Sequence, residues 1–341
     1  MSQALTGARA GIDGPTDMIR LGTAFCEAKA VLAGIELGLF ESLHKEPAAE
    51  AALCERLGLD ARCTRDWLSL LVALGLLEHR HGVYHNSPAA TRHLIAGGPG
   101  YVGEFLAHAD RNLYPAWGRL ADALRTGRPQ EESAFDSMIG DAAKQRHFLG
   151  MMDALNDLLG PELAQGFDFA PHGSVADIGG ARGNLLAHVL RAHPHLDGYV
   201  FDLPQVEPFF DEHRAELGIG ERLRFCPGDF FSDELPQADV LVIGHVLHDW
   251  SPDRRAALVA KAYRAVRPGG ALLVYDRMLD EHERDVEKLV LSLAMLLVTN
   301  GGCEYTVPEC AGYLEAAGFE DVSSRLLGDK DVLVIGRKSA A

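Results

Sequence analysis

The sequence predicts an α/β protein: a mainly helical N-terminal domain with a winged-helix outline, then a parallel sheet covered on both faces and closed by an antiparallel C-terminal hairpin. Three observations carry this. From Ser174 onward, apolar runs of strand length alternate with helical segments, the pattern of a doubly covered parallel sheet. The stretch Ser174 to Asp202, SVADIGGARGNLLAHVLRAHPHLDGYVFD, condenses that pattern into a β-turn-α-β unit. It has a short apolar run holding Asp177, a turn at Gly179, Gly180 and Gly183, an apolar-periodic helix and a second strand ending in Asp202. The last apolar runs, Val322 to Leu327 and Val332 to Ile335, are joined by only Gly328-Asp329-Lys330-Asp331, too few residues for a crossover helix.

Taken in order, Thr16 to Phe40 has apolar residues at three-to-four spacing and suits one long helix or two. A helix near Ala48 to Arg56, a break at Leu57-Gly58-Leu59 and a helix Cys63 to Leu74 follow. Leu76 to Arg80 and Val83 to His85, joined at His81-Gly82, then read as a hairpin. Two short helices and this wing make the winged-helix outline. Tyr101 to Leu124 is helical again with an interruption at Pro115. Arg125 to Glu132 reads as a polar loop, and Lys144 to Leu159 as a helix with Phe148, Met151, Met152 and Leu155 on one side. Methionine at that spacing packs cores and also lines adaptable apolar pockets, so Phe148 and Met152 are pocket candidates. Strands are expected at Ser174–Ile178, Gly198–Asp202, Arg222–Cys226, Asp239–Ile243 and Ala271–Tyr275. Ser251-Pro252-Asp253 is a helix start, Arg267-Pro268-Gly269-Gly270 a helix stop, and Thr306-Val307-Pro308-Glu309 a capping box. The domain limits are therefore 16–100, a helical connector 101–160, and 161–338.

Length and composition narrow the function. A chain of 341 residues favours two domains over one core, and 47% hydrophobic with 24% charged residues suits a soluble globular protein. A net charge of −17 argues against a nucleic-acid partner, which needs clustered Lys and Arg. The second helix of the wing agrees, since Cys63 to Leu74 offers only Arg65 as a base, beside Asp66. The six cysteines form no C-x-x-C pair and no metal-ligand spacing, so they read as reduced thiols and no metal is expected. Residues 1–15 lack the apolar core of a signal peptide, and nowhere do 18 apolar residues run together. A cytoplasmic protein without membrane contact is expected.

The glycine turn selects the cofactor. A dinucleotide fingerprint needs G-x-G-x-x-G, but from Gly179 the third and sixth places hold Ala181 and Asn184. What remains is an acidic residue before a glycine turn, suited to a cofactor with positive charge and no phosphate. S-adenosylmethionine, with its ammonium and sulfonium, fits.

With Gly228-Asp229-Phe230-Phe231 and Gly244-His245-Val246-Leu247-His248-Asp249-Trp250 following in order, the C-terminal half resembles a Rossmann-like class I S-adenosylmethionine-dependent methyltransferase. The whole chain resembles the bacterial and plant small-molecule O-methyltransferases related to caffeate and acetylserotonin O-methyltransferases. IELGLFESL, ALGLLEHRHGVYHNSPA and LYPAWGRLADALRTGRPQ match the winged-helix dimerisation half, which implies a homodimer. The resemblance implies that Gly179, Gly180 and Gly183 carry the methionine part, with Asp177 beneath them. It implies that Asp202 and the adjoining Leu203 hold the ribose, and that Gly228, Asp229 and Phe230 hold the adenine. S-adenosylhomocysteine would be the product.

Methyl transfer to oxygen needs an aligned acceptor and a group to take its proton, and a neutral imidazole suits that task. The resemblance implies His248 as general base, with Glu304 in Gly301-Gly302-Cys303-Glu304-Tyr305-Thr306, and secondarily Glu281, orienting it. Asp249 adjoins the base. The remaining pocket candidates are Trp250, His245 and Met295. The chain departs from the family at Gly244, where a basic residue is common, and at Ala294, where Asn or Asp is common. The implied function is O-methylation of a phenolic hydroxyl on an aromatic secondary metabolite. Alternatives are a C-methyltransferase or a cofactor-binding hydroxylase of the same fold, and beyond them a winged-helix regulator binding DNA.

Overall fold

The computed structural model describes residues 12–98, 100–130, 141–280, 282 and 284–340. Two compact units divide the chain between Asp110 and Arg111.

In the first unit the opening periodic run is three helices, α1 (Pro15–Gly22), α2 (Phe25–Glu36) and α3 (Leu39–Lys45), because Gly38 at φ 68° reverses the chain. Next come α4 (Glu50–Leu57) and α5 (Ala61–Ala73). Gly58 ends the first in the left-handed region, and Asp60 caps the second by accepting from Arg62 N at 2.8 Å. The wing is β1 (Leu77–Arg80) and β2 (Val83–Asn86), whose turn residues His81 and Gly82 both have positive φ, as a tight type I′ hairpin requires. α6 (Pro88–His93) and α7 (Gly103–His108) complete the unit. Its core is Leu39, Phe40, Leu43, Leu53, Leu68, Leu71, Leu77 and Tyr84, and Trp67 Nε1 donates to Ala30 O at 2.9 Å, tying α5 to α2. Met18, Ile19, Leu21 and Phe25 stay exposed.

The second unit begins with α8 (Tyr114–Trp117) and α9 (Leu120–Thr126), then α10 (Ala142–Gly166). Gly160-Pro161 should stop α10 near Leu159, yet the helix runs through both residues. Leu163 and Ala164 beyond the proline are buried in the main core. Burying a leucine gains about 1.5–3 kcal/mol, which is comparable with the roughly 3 kcal/mol a proline costs a helix interior, so packing overrides the break signal.

The sheet contains β3 (Ser174–Ile178), β4 (Asp197–Asp202), β5 (Leu223–Pro227), β6 (Ala238–Gly244), β7 (Val266–Asp276), β8 (Glu320–Leu327) and β9 (Asp331–Arg337), in the order β5-β4-β3-β6-β7-β9-β8. The first five run parallel, and β9 lies antiparallel to both β7 and β8, so the closing hairpin is as expected. The helices between strands are α11 (Asn184–Ala192), α12 (Glu207–Leu217), α13 (Pro252–Ala265), α14 (Val286–Val298) and α15 (Val307–Ala317). Strand residues alternate between two cores: Val175, Val200 and Val242 pack with α10, α11 and α12, while Ala176, Ile178 and Ile243 pack with α13 and α15. Thr306 and Glu309 form the expected capping box of α15. The helix before Arg267–Gly270 ends at Ala265, as the stop signal implies, and β7 starts at Val266, earlier than the expected Ala271, since Val266 already pairs with Ala238. Strand order reverses between β3 and β6, and ligands of open α/β sheets bind at the carboxyl ends of strands at that point. No helix of the described residues is long and apolar enough to cross a membrane.

Candidate active site

The carboxyl ends of β3, β4 and β5 build a cradle. Gly179 (φ 80°) and Gly183 (φ 82°) need left-handed backbone, and a side chain on Gly180 would come within 2.8 Å of Asp177 Oδ2. A Cβ on Gly179 would meet Val246 at 2.8 Å and lie 4.0 Å from the Phe230 ring, so only bare backbone leaves this space open. Asp202 clamps the turn: its Oδ2 accepts from Ala181 N at 2.8 Å and its Oδ1 from Leu203 N at 2.7 Å. Those bonds hold Ala181 at φ 49°, a left-handed conformation that favours glycine. Gly228 N donates to Asp202 O at 2.9 Å, which brings Asp229 and Phe230 alongside, and the Phe230 carbonyl accepts from the buried Lys261 Nζ at 3.0 Å. Burial, together with the Asp202 charge, pushes Asp177 up to about 7, and burial pushes Asp202 up to about 6 against its two N–H donors. Two carboxylates in a glycine-lined, phosphate-free cradle fit a cationic adenosyl cofactor.

A cluster of histidines and carboxylates lies beyond β6. His245, at φ 51°, turns the chain into a short 3₁₀ turn, Leu247–Asp249, that carries His248. The His248 ring is buried; its Nδ1 hydrogen-bonds Glu304 Oε1 at 2.7 Å and lies 3.4 Å from Asp276 Oδ1, while its Nε2 is 3.7 Å from Asp249 Oδ1. Tyr305 Oη donates to Asp276 Oδ2 at 2.5 Å. Burial alone would lower the His248 pKa, but Asp276, Glu304 and Asp249 outweigh it and hold it at about 10. Burial raises Asp249 and Asp276 to about 6, opposed chiefly by His248.

Asp276 is the carboxylate that sequence reasoning missed. It ends the fifth parallel strand, on the rim where such a sheet places its ligands, and that position was the available signal. Glu281, assigned the supporting role, lies outside the described residues. His245 joins the cluster edge-on: Nε2 is 3.0 Å from Asp331 Oδ1, and Nδ1 is 3.8 Å from Asp276 Oδ1. His245, His248 and Asp276 have donor atoms within 4.8 Å of one another, close enough to hold a metal ion, while His245 Nε2 also lies 3.0 Å from Asp331 Oδ1 and His248 Nδ1 bonds Glu304. Trp250 packs edge-to-face on Phe231 and Phe230. Phe148 packs with Leu149, Ala181, Val206 and Phe209 against the glycine turn. Met152 and Met295 are half-buried on α10 and α14. Gly244 is explained by Tyr275, whose buried ring fills the space any side chain there would need.

Comparison with known proteins agrees with this geometry. An O-methyltransferase domain model matches residues 117–320, and an O-methyltransferase dimerisation domain model matches residues 19–96. The chain is 47% identical, over 96% of its length and 98% of the relative's, to the tetracenomycin polyketide synthesis 8-O-methyl transferase TcmO of Streptomyces glaucescens. It is 37% identical, over 92% of its length and 94% of the relative's, to the N,N-dimethyltransferase OxyT of Streptomyces rimosus. Human N-acetylserotonin methyltransferase, solved in complex with S-adenosylmethionine, superposes with a TM-score of 0.89 at 28% identity, covering 97% of this chain and 99% of that one. With a cradle suited to S-adenosylmethionine and both halves matched, the chain belongs to the O-methyltransferase family and is an S-adenosylmethionine-dependent methyltransferase with a dimerisation domain.

Proposed function

We propose that this enzyme methylates a phenolic hydroxyl of a fused-ring aromatic polyketide, with His248 as general base. The observation that carries the chemistry is the 2.7 Å contact between His248 Nδ1 and Glu304. It fixes the ring so that Nε2 is left to take the acceptor's proton, and the carboxylate stabilises the imidazolium that results. Asp276 adds a second negative charge beside Nδ1. S-adenosylmethionine, when bound, supplies a sulfonium-activated methyl group. Asp276, Glu304 and Asp249 together outweigh burial and hold the His248 pKa up at about 10.

The acceptor class rests on the 47% identity to TcmO. A second reading, methyl transfer to an amine, is favoured by the 37% identity to OxyT. Residues 16–100 would form a cytoplasmic homodimer by covering exposed Met18, Ile19 and Phe25. Incubation with labelled cofactor and paired phenolic and amino tetracyclic acceptors, followed by NMR of the product, separates the two readings. His248→Gln is expected to lower turnover by about 10²- to 10⁴-fold with S-adenosylhomocysteine affinity unchanged, and undiminished turnover would remove His248 from the role.

A further inference from the structure

His248 and Glu304 stand 56 residues apart in sequence, both outside regular strands and α-helices, yet their hydrogen bond needs sub-ångström placement. One buried side chain reaches the backbone behind each. Arg255, in the first turn of α13, is 2% exposed. Its Nε donates to Leu247 O at 2.9 Å, one residue before His248, and its Nη2 donates to Cys303 O at 2.5 Å, one residue before Glu304. The guanidinium lies 4.5 Å from the centre of the Tyr305 ring, whose hydroxyl holds Asp276. Among the described residues no carboxylate pairs with it. Burying a cation without an anion is costly, and an apolar side chain would fill the same volume for less, so the charge is retained for what its fork of donors does.

We propose that Arg255 is a positioning residue, which sets the spacing between the loops of His248 and Glu304 and, through Tyr305, the direction of Asp276. The guanidinium is planar and its N–H groups are at fixed separation, so two carbonyls bound to one fork cannot drift apart. Its platform is firm: Arg255 N donates to Ser251 O at 3.0 Å at the start of α13. Lysine has one ammonium at the end of a flexible stem and cannot reproduce the fork. The inference rests on His248 as the base for its catalytic meaning, but its geometry is testable without turnover.

The test uses full-length protein with ¹⁵N-labelled histidine, saturated with S-adenosylhomocysteine, and reads the low-field Nδ1 proton of His248, assigned by its absence in His248→Gln. Arg255→Met should abolish that resonance and Arg255→Lys should displace it, with S-adenosylhomocysteine affinity within about twofold of the unaltered enzyme. With a tetracenomycin-type phenol as acceptor, kcat should fall about 10- to 100-fold in Arg255→Met with KM nearly constant, and Arg255→Lys should recover part of the loss. An unchanged resonance in Arg255→Met overturns the proposal. If that variant does not fold, Arg255→Lys decides, and a wild-type resonance there overturns it equally. Loss of the resonance alongside full turnover in His248→Gln would uphold the spacing role and refute only the base.

Discussion

Replacing Glu304 with Gln removes one charge at the closest contact in the site while keeping an oxygen that can accept from His248 Nδ1. The pair is 2.7 Å apart and buried, so it is a charge-assisted bond worth about 1.5–3 kcal/mol, against about 1 kcal/mol for its neutral counterpart. The difference, roughly 1–2 kcal/mol, is about one pKa unit, and the lost long-range attraction extends this to one or two. His248 should therefore fall from about 10 to about 8–9, because Asp276 and Asp249 remain. Titration of the ¹⁵N-labelled imidazole in the presence of S-adenosylhomocysteine reads this directly. In turnover, the acid limb should move to lower pH by the same amount, while the plateau rate drops about 10-fold or more because a weaker base stabilises the transition state less. The stability linkage has a definite sign. The folded-state pKa of His248 lies above its unfolded value of 6.5, so its contribution is complete below pH 6.5 and disappears as pH rises through about 10. The variant should lose that contribution earlier on the alkaline side. A His248 pKa that stays fixed, or rises, would refute the idea that Glu304 charge supports the base.

Two further outcomes are expected. Asp177, held up at about 7, is ionised only above that pH, so affinity for cationic S-adenosylmethionine should climb as pH rises from 6 to 8, by at most about tenfold per unit, and Asp177→Asn should flatten the slope in calorimetry. The same shift means that the ligand-free fold loses stability as pH climbs from the unfolded value of 3.8 through about 7, a loss absent in the Asn variant. Gly244→Ala should destabilise the protein by about 1–3 kcal/mol in denaturant melts, since its methyl enters space held by the buried Tyr275 ring. In a Tyr275→Ala background, itself destabilised by the cavity it leaves, the added cost of Gly244→Ala should shrink, and full stability of the single variant would show that the ring moves freely.

Local signals exposed some of this molecule and could not expose the rest. The β3-turn-α11-β4 unit was legible because a short strand run with three apolar residues, three glycines and an apolar-periodic helix are contiguous, so each constraint acts within a few residues. The capping box at Thr306 is legible for the same reason. α10 escapes such reading because Pro161 argues locally for a break, while the argument for continuing comes from Leu163 meeting a core whose other members lie far along the chain. Among the site residues, His248 was recognisable from its neighbours in sequence. Asp276 was not, because a single aspartate ending a strand acquires its meaning only when β7 lies beside β6 and Tyr305 turns its carboxylate toward the imidazole.

The same contrast bears on how the site works. Carboxylates gathered from the 3₁₀ turn, from β7 and from the loop before α15 leave His248 too basic to be free of a proton near neutrality, which opposes the role of a base in the ligand-free enzyme. The opposition resolves if cofactor and base share one electrostatic balance. Asp177 and Asp202 draw positive charge to the cradle, and Val246, whose methyl would lie 2.8 Å from a Cβ on Gly179, places that cradle two residues from His248. A cationic group held by Asp177 and Asp202 would lower the proton affinity of His248. On the proposed role of His248, the carboxylates that raise its proton affinity would also stabilise the imidazolium that forms when it takes the acceptor's proton. Calorimetry in buffers of differing ionisation enthalpy should then show protons released on binding S-adenosylmethionine and fewer on binding S-adenosylhomocysteine, with the difference reduced in His248→Gln to the part that Asp177 supplies and reduced further in the double variant with Asp177→Asn.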